Sequence, residues 1–206
     1  VLVEPVQSRH PELQPVEFLR EVRRITEQSG TALIFDEVVT GFRTHPGGMQ
    51  AIYDIRADIA TYGKVVAGGL PVGILSGSST YMDALDGGQW QYGDDSFPQV
   101  GVTFYAGTFM RHPLAMAAVK ASLQHIKNSG QALQQNLNAK TSSLVADLKS
   151  MFGEFAYPSA VESYSSWFYF GVPQEPRLAR LLHFHLRKQG IHIQEGFPCF
   201  LTTAHT

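Results

Sequence analysis

Thr31 to Arg43 reads TALIFDEVVTGFR, and Asp58 to Lys64 reads DIATYGK. The apolar run Thr31 to Phe35 stops at Asp36, the pattern of a buried parallel strand that delivers a carboxylate to its C-terminal end. The second run, Asp58 to Thr61, is a short strand that ends just before Lys64, and the glycine-bearing sequence VVAGGLP follows. Open α/β sheets bind ligands outside the C-terminal ends of their strands. An aspartate and a lysine brought to one such edge make that edge the candidate site.

Two chemistries use such a pair. In pyridoxal phosphate chemistry the lysine amine condenses with the cofactor aldehyde, and the carboxylate keeps the pyridine nitrogen protonated so that the ring can accept charge. Asp36-Glu37 after an apolar strand also fits a nucleotide hydrolase in which the acids serve Mg²⁺. That site needs a G-x-x-x-x-G-K-[ST] loop, a string that does not occur in these residues. Read alone, Lys64 is a solvated loop lysine, because lysine is rarely buried without a partner. A catalytically silent dimerisation module would need neither residue.

Three strings, taken together, carry a resemblance. They are Ile34 to Arg43 (IFDEVVTGFR), Gly63 to Gly73 (GKVVAGGLPVG), and Gly107-Thr108-Phe109 with His112 to Ala118 (HPLAMAA). Their order and spacing resemble class III pyridoxal phosphate aminotransferases, most of all the glutamate-1-semialdehyde aminomutase branch. The opening Val3 to Arg9 (VEPVQSR) with Pro11 to Pro15 (PELQP) is similar to a narrower group. These are the aminotransferase domains embedded in hybrid polyketide/nonribosomal peptide synthetases, such as those making microcystin and nodularin.

The resemblance implies a fold-type-I α/β transferase. It makes Lys64 the cofactor-bearing lysine and Asp36 the pyridinium partner, and it stacks Val38 on one face of the ring. Thr108 is implied to bind the cofactor phosphate of the neighbouring subunit, hence a homodimer with shared active sites. Glu4 matches a substrate-side glutamate. Many family members carry glutamine three residues after the aspartate, near the cofactor's phenolic oxygen; here the residue is Val39, so that hydrogen bond comes from elsewhere or is absent. The implied activity is amino transfer from an amino acid donor to a keto acceptor, here a β-keto acyl thioester on an acyl carrier protein. Glutamate-1-semialdehyde 2,1-aminomutase activity is the alternative.

Family members are roughly twice as long as these 206 residues. The resemblance therefore implies a piece of a longer protein, with residues 1–152 forming the second half of a large, mainly parallel cofactor domain and 153–206 part of a small α+β domain. The net charge of −2 and a pI near 6.5 argue against a nucleic-acid surface. Cys199 is the only cysteine, which excludes internal disulfides and fits a reducing, cytoplasmic setting. No apolar stretch approaches the length of a membrane span.

Along the chain, Val16, Leu19, Val22 and Ile25 predict a helix over Pro15 to Gln28 that stops at Ser29-Gly30. Gly41 to Gly48 reads as a long loop, Val72 to Ser76 as a strand and Thr80 to Leu85 as a short helix. Asp86 to Val100 (DGGQWQYGDDSFPQV) has the composition of a binding loop or of an ordinary surface excursion. Helices are expected over Pro113 to Lys127, with proline in the first turn, and over Gly130 to Met151 as a bridge between domains. Strands over Ser163 to Val172, a helix over Pro176 to Gln189 and a strand over Ile191 to Gln194 complete the pattern.

Other polar residues carry less. His183 and His185 are two apart on a helix and face different ways, so they do not form a metal pair; no metal site is expected. Asp94-Asp95 reads as a solvated turn as readily as a cation site. Arg43 and Arg111 can each meet a carboxylate or phosphate, or simply lie at the surface. His112 is a loop residue near Thr108.

Overall fold

The computed structural model describes residues 1–157, 159–171 and 176–206. These pack as two units, Val1–Pro5 with Pro15–Asn128, and Val6–Gln14 with Ser129–Thr206.

The first unit is built on a four-stranded sheet. Strand β1 (Leu2–Val3) leads to helix α1 (Val16–Ser29), whose buried positions are Leu19 and Thr26 and whose end is closed by Gly30 in the left-handed conformation. Strand β2 (Ile34–Asp36) follows, with Phe35 fully buried. A six-residue helix, α2 (Gly48–Tyr53), then precedes strand β3 (Ile59–Tyr62). Strand β4 (Ile74–Gly77), helix α3 (Ser79–Asp86) and helix α4 (Pro113–Ser129) complete the unit.

The sheet order is β1-β2-β3-β4. Neighbours are parallel through β3, and β4 returns antiparallel, pairing Tyr62 with Ile74 and Ile59 with Gly77. A mainly parallel sheet was expected; the antiparallel fourth strand makes it mixed. Register sets Phe35 beside Val3 and Ala60, so β1, β2 and β3 all end at one edge. Helix α1 is tied to that sheet by Arg23, whose guanidinium donates to Asp58 Oδ2 at 2.9 Å; the same oxygen accepts the Leu33 N–H at 2.7 Å. Burial opposes ionisation of Asp58, but the Leu33 N–H and the Arg23 guanidinium outweigh it and hold the carboxyl below its ordinary value.

The second unit holds helix α5 (Ala132–Glu154), the antiparallel strands β5 (Val161–Tyr164) and β6 (Trp167–Phe170), helix α6 (Pro176–Lys188) and strand β7 (Cys199–Phe200), which pairs with β6. Its core gathers Val145 and Phe152 of α5 with Val161, Phe168 and Leu201. The long helix therefore packs with the hairpin that follows it, and the two packing units part at Asn128 and Ser129.

The loop read over Gly41 to Gly48 is present and ends where α2, a helix not anticipated, begins at Gly48. The strands read over Ser163 to Val172 are present as the hairpin β5–β6, which starts two residues earlier and turns at Ser165 with φ of 52°; Val172 lies outside the described residues. Ile191 to Gln194 forms no strand, and the pairing partner of β6 is Cys199–Phe200 instead. Short apolar runs do not reveal which of them finds a partner strand, and that ambiguity explains the misplaced strand at Ile191 to Gln194. No helix among the described residues is long and apolar enough to cross a membrane.

Candidate active site

Asp36 is the last residue of β2 and pairs in register with Thr61 of β3. Its Oδ1 accepts two hydrogen bonds, from the Val38 N–H at 3.0 Å and from the Thr61 hydroxyl at 3.1 Å. Its Oδ2 accepts none from the described residues. Lys64 follows Thr61 through Tyr62 and Gly63 and opens a 3₁₀ turn, Lys64–Ala67, beyond the same sheet edge. Its side chain is exposed and forms no ion pair among the described residues. Its φ of 46° is in the left-handed region, which costs a non-glycine residue energy and is found where the surroundings impose it.

Val38 lies against the backbone that carries the lysine: a Cβ placed on Gly63 would be 3.6 Å from Val38 Cγ1. Behind Lys64, Gly68 has φ of 61°, and a Cβ there would meet Ser122 Oγ at 2.9 Å and Ala118 Cβ at 3.3 Å. Gly68 thus lets the turn settle on α4. Glu4 follows β1 at the same edge and is exposed. The structure so brings Asp36, Val38, Lys64 and Glu4 to the carboxyl ends of three adjacent parallel strands.

Thr108 is not gathered with them by any described contact. It is exposed, in a segment without regular structure between α3 and α4. Arg111 has φ of 54° and lies 6.0 Å from the Tyr105 ring centroid. In the Asp86 to Val100 stretch several polar groups bond within the stretch: Trp90 donates to the Asp86 carbonyl at 2.6 Å, and Asp94 Oδ1 accepts the Ser96 N–H at 2.8 Å. Hydrogen bonds from the Ser96 side chain and backbone hold the Asp94 carboxyl below its ordinary value. No group of three or more His, Cys, Asp or Glu suited to a metal ion occurs among the described residues.

Glu37 departs from the metal-site reading altogether. It is fully buried, its Oε2 accepts the Thr40 hydroxyl at 3.0 Å and the Met49 N–H at 2.8 Å, and its Oε1 accepts the Gln50 N–H at 3.3 Å. Burial raises its carboxyl above the ordinary value, and these donors pull partly the other way. Glu37 is thus a strut between β2 and the first turn of α2. Both of its oxygens are occupied by the protein, so Asp36 and Glu37 cannot act together on a magnesium ion. Arg43 is half-buried, and burial pushes its guanidinium down to about 10.

Sequence reasoning did not single out Thr61. The only available signal was its place in the strand before Lys64; its partnership with Asp36 depends on β2–β3 register.

The family model for class-III aminotransferases matches residues 1–196. The chain belongs to that family. Among curated proteins, glutamate-1-semialdehyde 2,1-aminomutase of Ignicoccus hospitalis is 33% identical over 219 residues, covering 99% of this chain and 48% of that protein. Among solved structures, an omega-transaminase from Sphaerobacter thermophilus superposes with a TM-score of 0.79 at 28% identity, over 98% of this chain and 47% of that one. A β-phenylalanine aminotransferase from Variovorax paradoxus gives a TM-score of 0.79 at 27% identity, over 100% of this chain and 48% of that one. The fold is that of the fold-type-I transferases. The class-III chain described here spans about half the length of the curated relatives it matches.

Proposed function

We propose that the intact protein containing this chain is a pyridoxal phosphate-dependent aminotransferase. The observation that carries the reading is the placement of Asp36 and Lys64 at one sheet edge, where Asp36 is held through Oδ1 alone. The donor set fits the cofactor: Asp36 Oδ2 accepts nothing from the described residues, and the Lys64 amine has no ion-pair partner. Membership in the class-III family supports the same reading.

In this reading Lys64 would hold the cofactor at its aldehyde carbon, and its amine would serve as the base that moves the proton at the substrate carbon. Asp36 Oδ2 keeps the proton on the pyridine nitrogen. Val38 packs on the ring face, Thr108 reaches the cofactor phosphate of the neighbouring subunit in a homodimer, and Glu4 lies on the substrate side. When bound, the ring supplies an electron sink for the charge left as the substrate proton departs. Residues 1–152 belong in this proposal to the large domain and 153–206 to the small one, a division by family architecture that differs from the packing units.

For the acceptor, we propose a β-keto acyl thioester on a carrier protein, within polyketide or nonribosomal peptide assembly. The support is the sequence of Glu4 to Arg9 and Gly41 to Arg43, with an exposed aromatic segment in which Tyr92 and Phe97 are open to solvent and could line a wide entrance. A second reading, isomerisation of glutamate-1-semialdehyde, is favoured by the curated relatives of that name at 33% and 32% identity. Direct competition between the two acceptors in the intact protein separates them. Faster amination of the thioester is the expected result; faster conversion of the semialdehyde assigns the second reading and leaves Asp36 and Lys64 in the same roles.

A further inference from the structure

We infer that Thr61 is a positioning residue for Asp36: its hydroxyl and the Val38 N–H together occupy Oδ1, so that Oδ2 alone is presented to a cationic ring nitrogen. The inference rests on the proposed role of Asp36 and deepens it.

The geometry is specific to one oxygen. The Thr61 hydroxyl donates to Asp36 Oδ1 at 3.1 Å and the Val38 N–H donates to the same atom at 3.0 Å. The two donors come from different directions, one from the adjacent strand and one from the chain just beyond Asp36. A carboxylate held by a single donor can still rotate about its terminal torsion, where side chains have broad minima. Two donors on one oxygen fix that rotation and thereby fix the other oxygen.

Thr61 suits the task because its branched Cβ restricts χ1, and because β2–β3 register places it directly beside Asp36. A threonine here purely for strand propensity would be replaceable by valine, which has the same shape and lacks only the hydroxyl. The hydroxyl is therefore what the inference concerns. Partners that orient a ligand-holding side chain commonly change ligand affinity by about tenfold or more when removed.

The test compares Thr61→Val and Thr61→Ser in the intact, cofactor-loaded protein, reading the pyridoxal phosphate dissociation constant and the pH titration of its visible absorbance. Thr61→Val is expected to weaken cofactor binding about tenfold and to displace the titration, with Thr61→Ser restoring both. In an Asp36→Asn background the Thr61→Val effect should vanish. Thr61→Val binding within about twofold of wild type with an unchanged titration overturns the inference, as does an equal effect in the Asp36→Asn background. Should Thr61→Val not fold, Thr61→Ala against Thr61→Ser gives the same comparison. A wild-type protein that takes up no pyridoxal phosphate overturns the underlying reading of Asp36 and Lys64 and this inference with it. Normal uptake with an indifferent Thr61 overturns the inference alone.

Discussion

Glu37 Oε2 accepts the backbone N–H of Met49 at 2.8 Å from a fully buried position. This bond ties the residue next to Asp36 to the first turn of α2, so the carboxyl edge of β2 is braced from behind by a group that never meets solvent. The edge is consequently built from two adjacent acids with opposite tasks: Asp36 offers an oxygen outward, and Glu37 spends both of its oxygens inside.

The brace has a pH signature. Burial raises Glu37 above its ordinary value of 4.5, so the folded protein keeps a proton through a window in which the unfolded chain has already lost it. Folding stability therefore falls as pH rises from 4.5 through the raised value. Glu37→Gln should flatten that slope. Its amide cannot accept from all three donors, and each buried donor left unpaired costs about 1–3 kcal/mol. Urea denaturation of the intact protein at several pH values checks both effects.

A steric prediction concerns the same contact. Gly48 has φ of 65°, and a Cβ there would lie 2.4 Å from Glu37 Oε2 and 2.5 Å from Oε1. Gly48→Ala combines a left-handed alanine with a direct clash against a buried carboxylate. A loss of more than about 1 kcal/mol is expected, measured as a lower urea midpoint, with wild-type stability as the contrary outcome.

At acid pH the contribution of Asp58 runs the other way. Its carboxyl is held below the ordinary 3.8 chiefly by the Leu33 N–H and Arg23, against the opposing effect of burial. Its stabilising effect is present above the unfolded value and is lost as pH falls through the lowered folded value. Asp58→Asn should make stability less sensitive to pH below 3.8 and reduce it near neutrality. Acid titration of the folded fraction, compared with wild type, reads this directly.

Much of the candidate site's placement was legible because it depends on local pattern. An apolar run ending in Asp36 and a second ending before Lys64 announce two strands with polar residues at their C-terminal ends, and the structure gives parallel β2 and β3 with those residues there. What was not legible depends on register and burial. Asp36-Glu37 looks like an acidic pair in sequence, yet strand alternation sends the two side chains to different surroundings, and Glu37 finds its partners in the distant Met49 and Gln50. Thr61 becomes relevant only because the register sets it beside Asp36. The strand expected over Ile191 to Gln194 failed for a related reason: its composition permits pairing, but Cys199–Phe200 occupies the edge of β6.

The most direct measurement is borohydride reduction of the intact, pyridoxal phosphate-loaded protein, followed by digestion and mass spectrometry. The account requires the cofactor to be fixed covalently to the peptide containing Lys64, with the visible absorbance lost in proportion, and requires Lys64→Ala to abolish both the adduct and amino transfer. An adduct on another lysine, or transamination retained within a few-fold in Lys64→Ala, would contradict it.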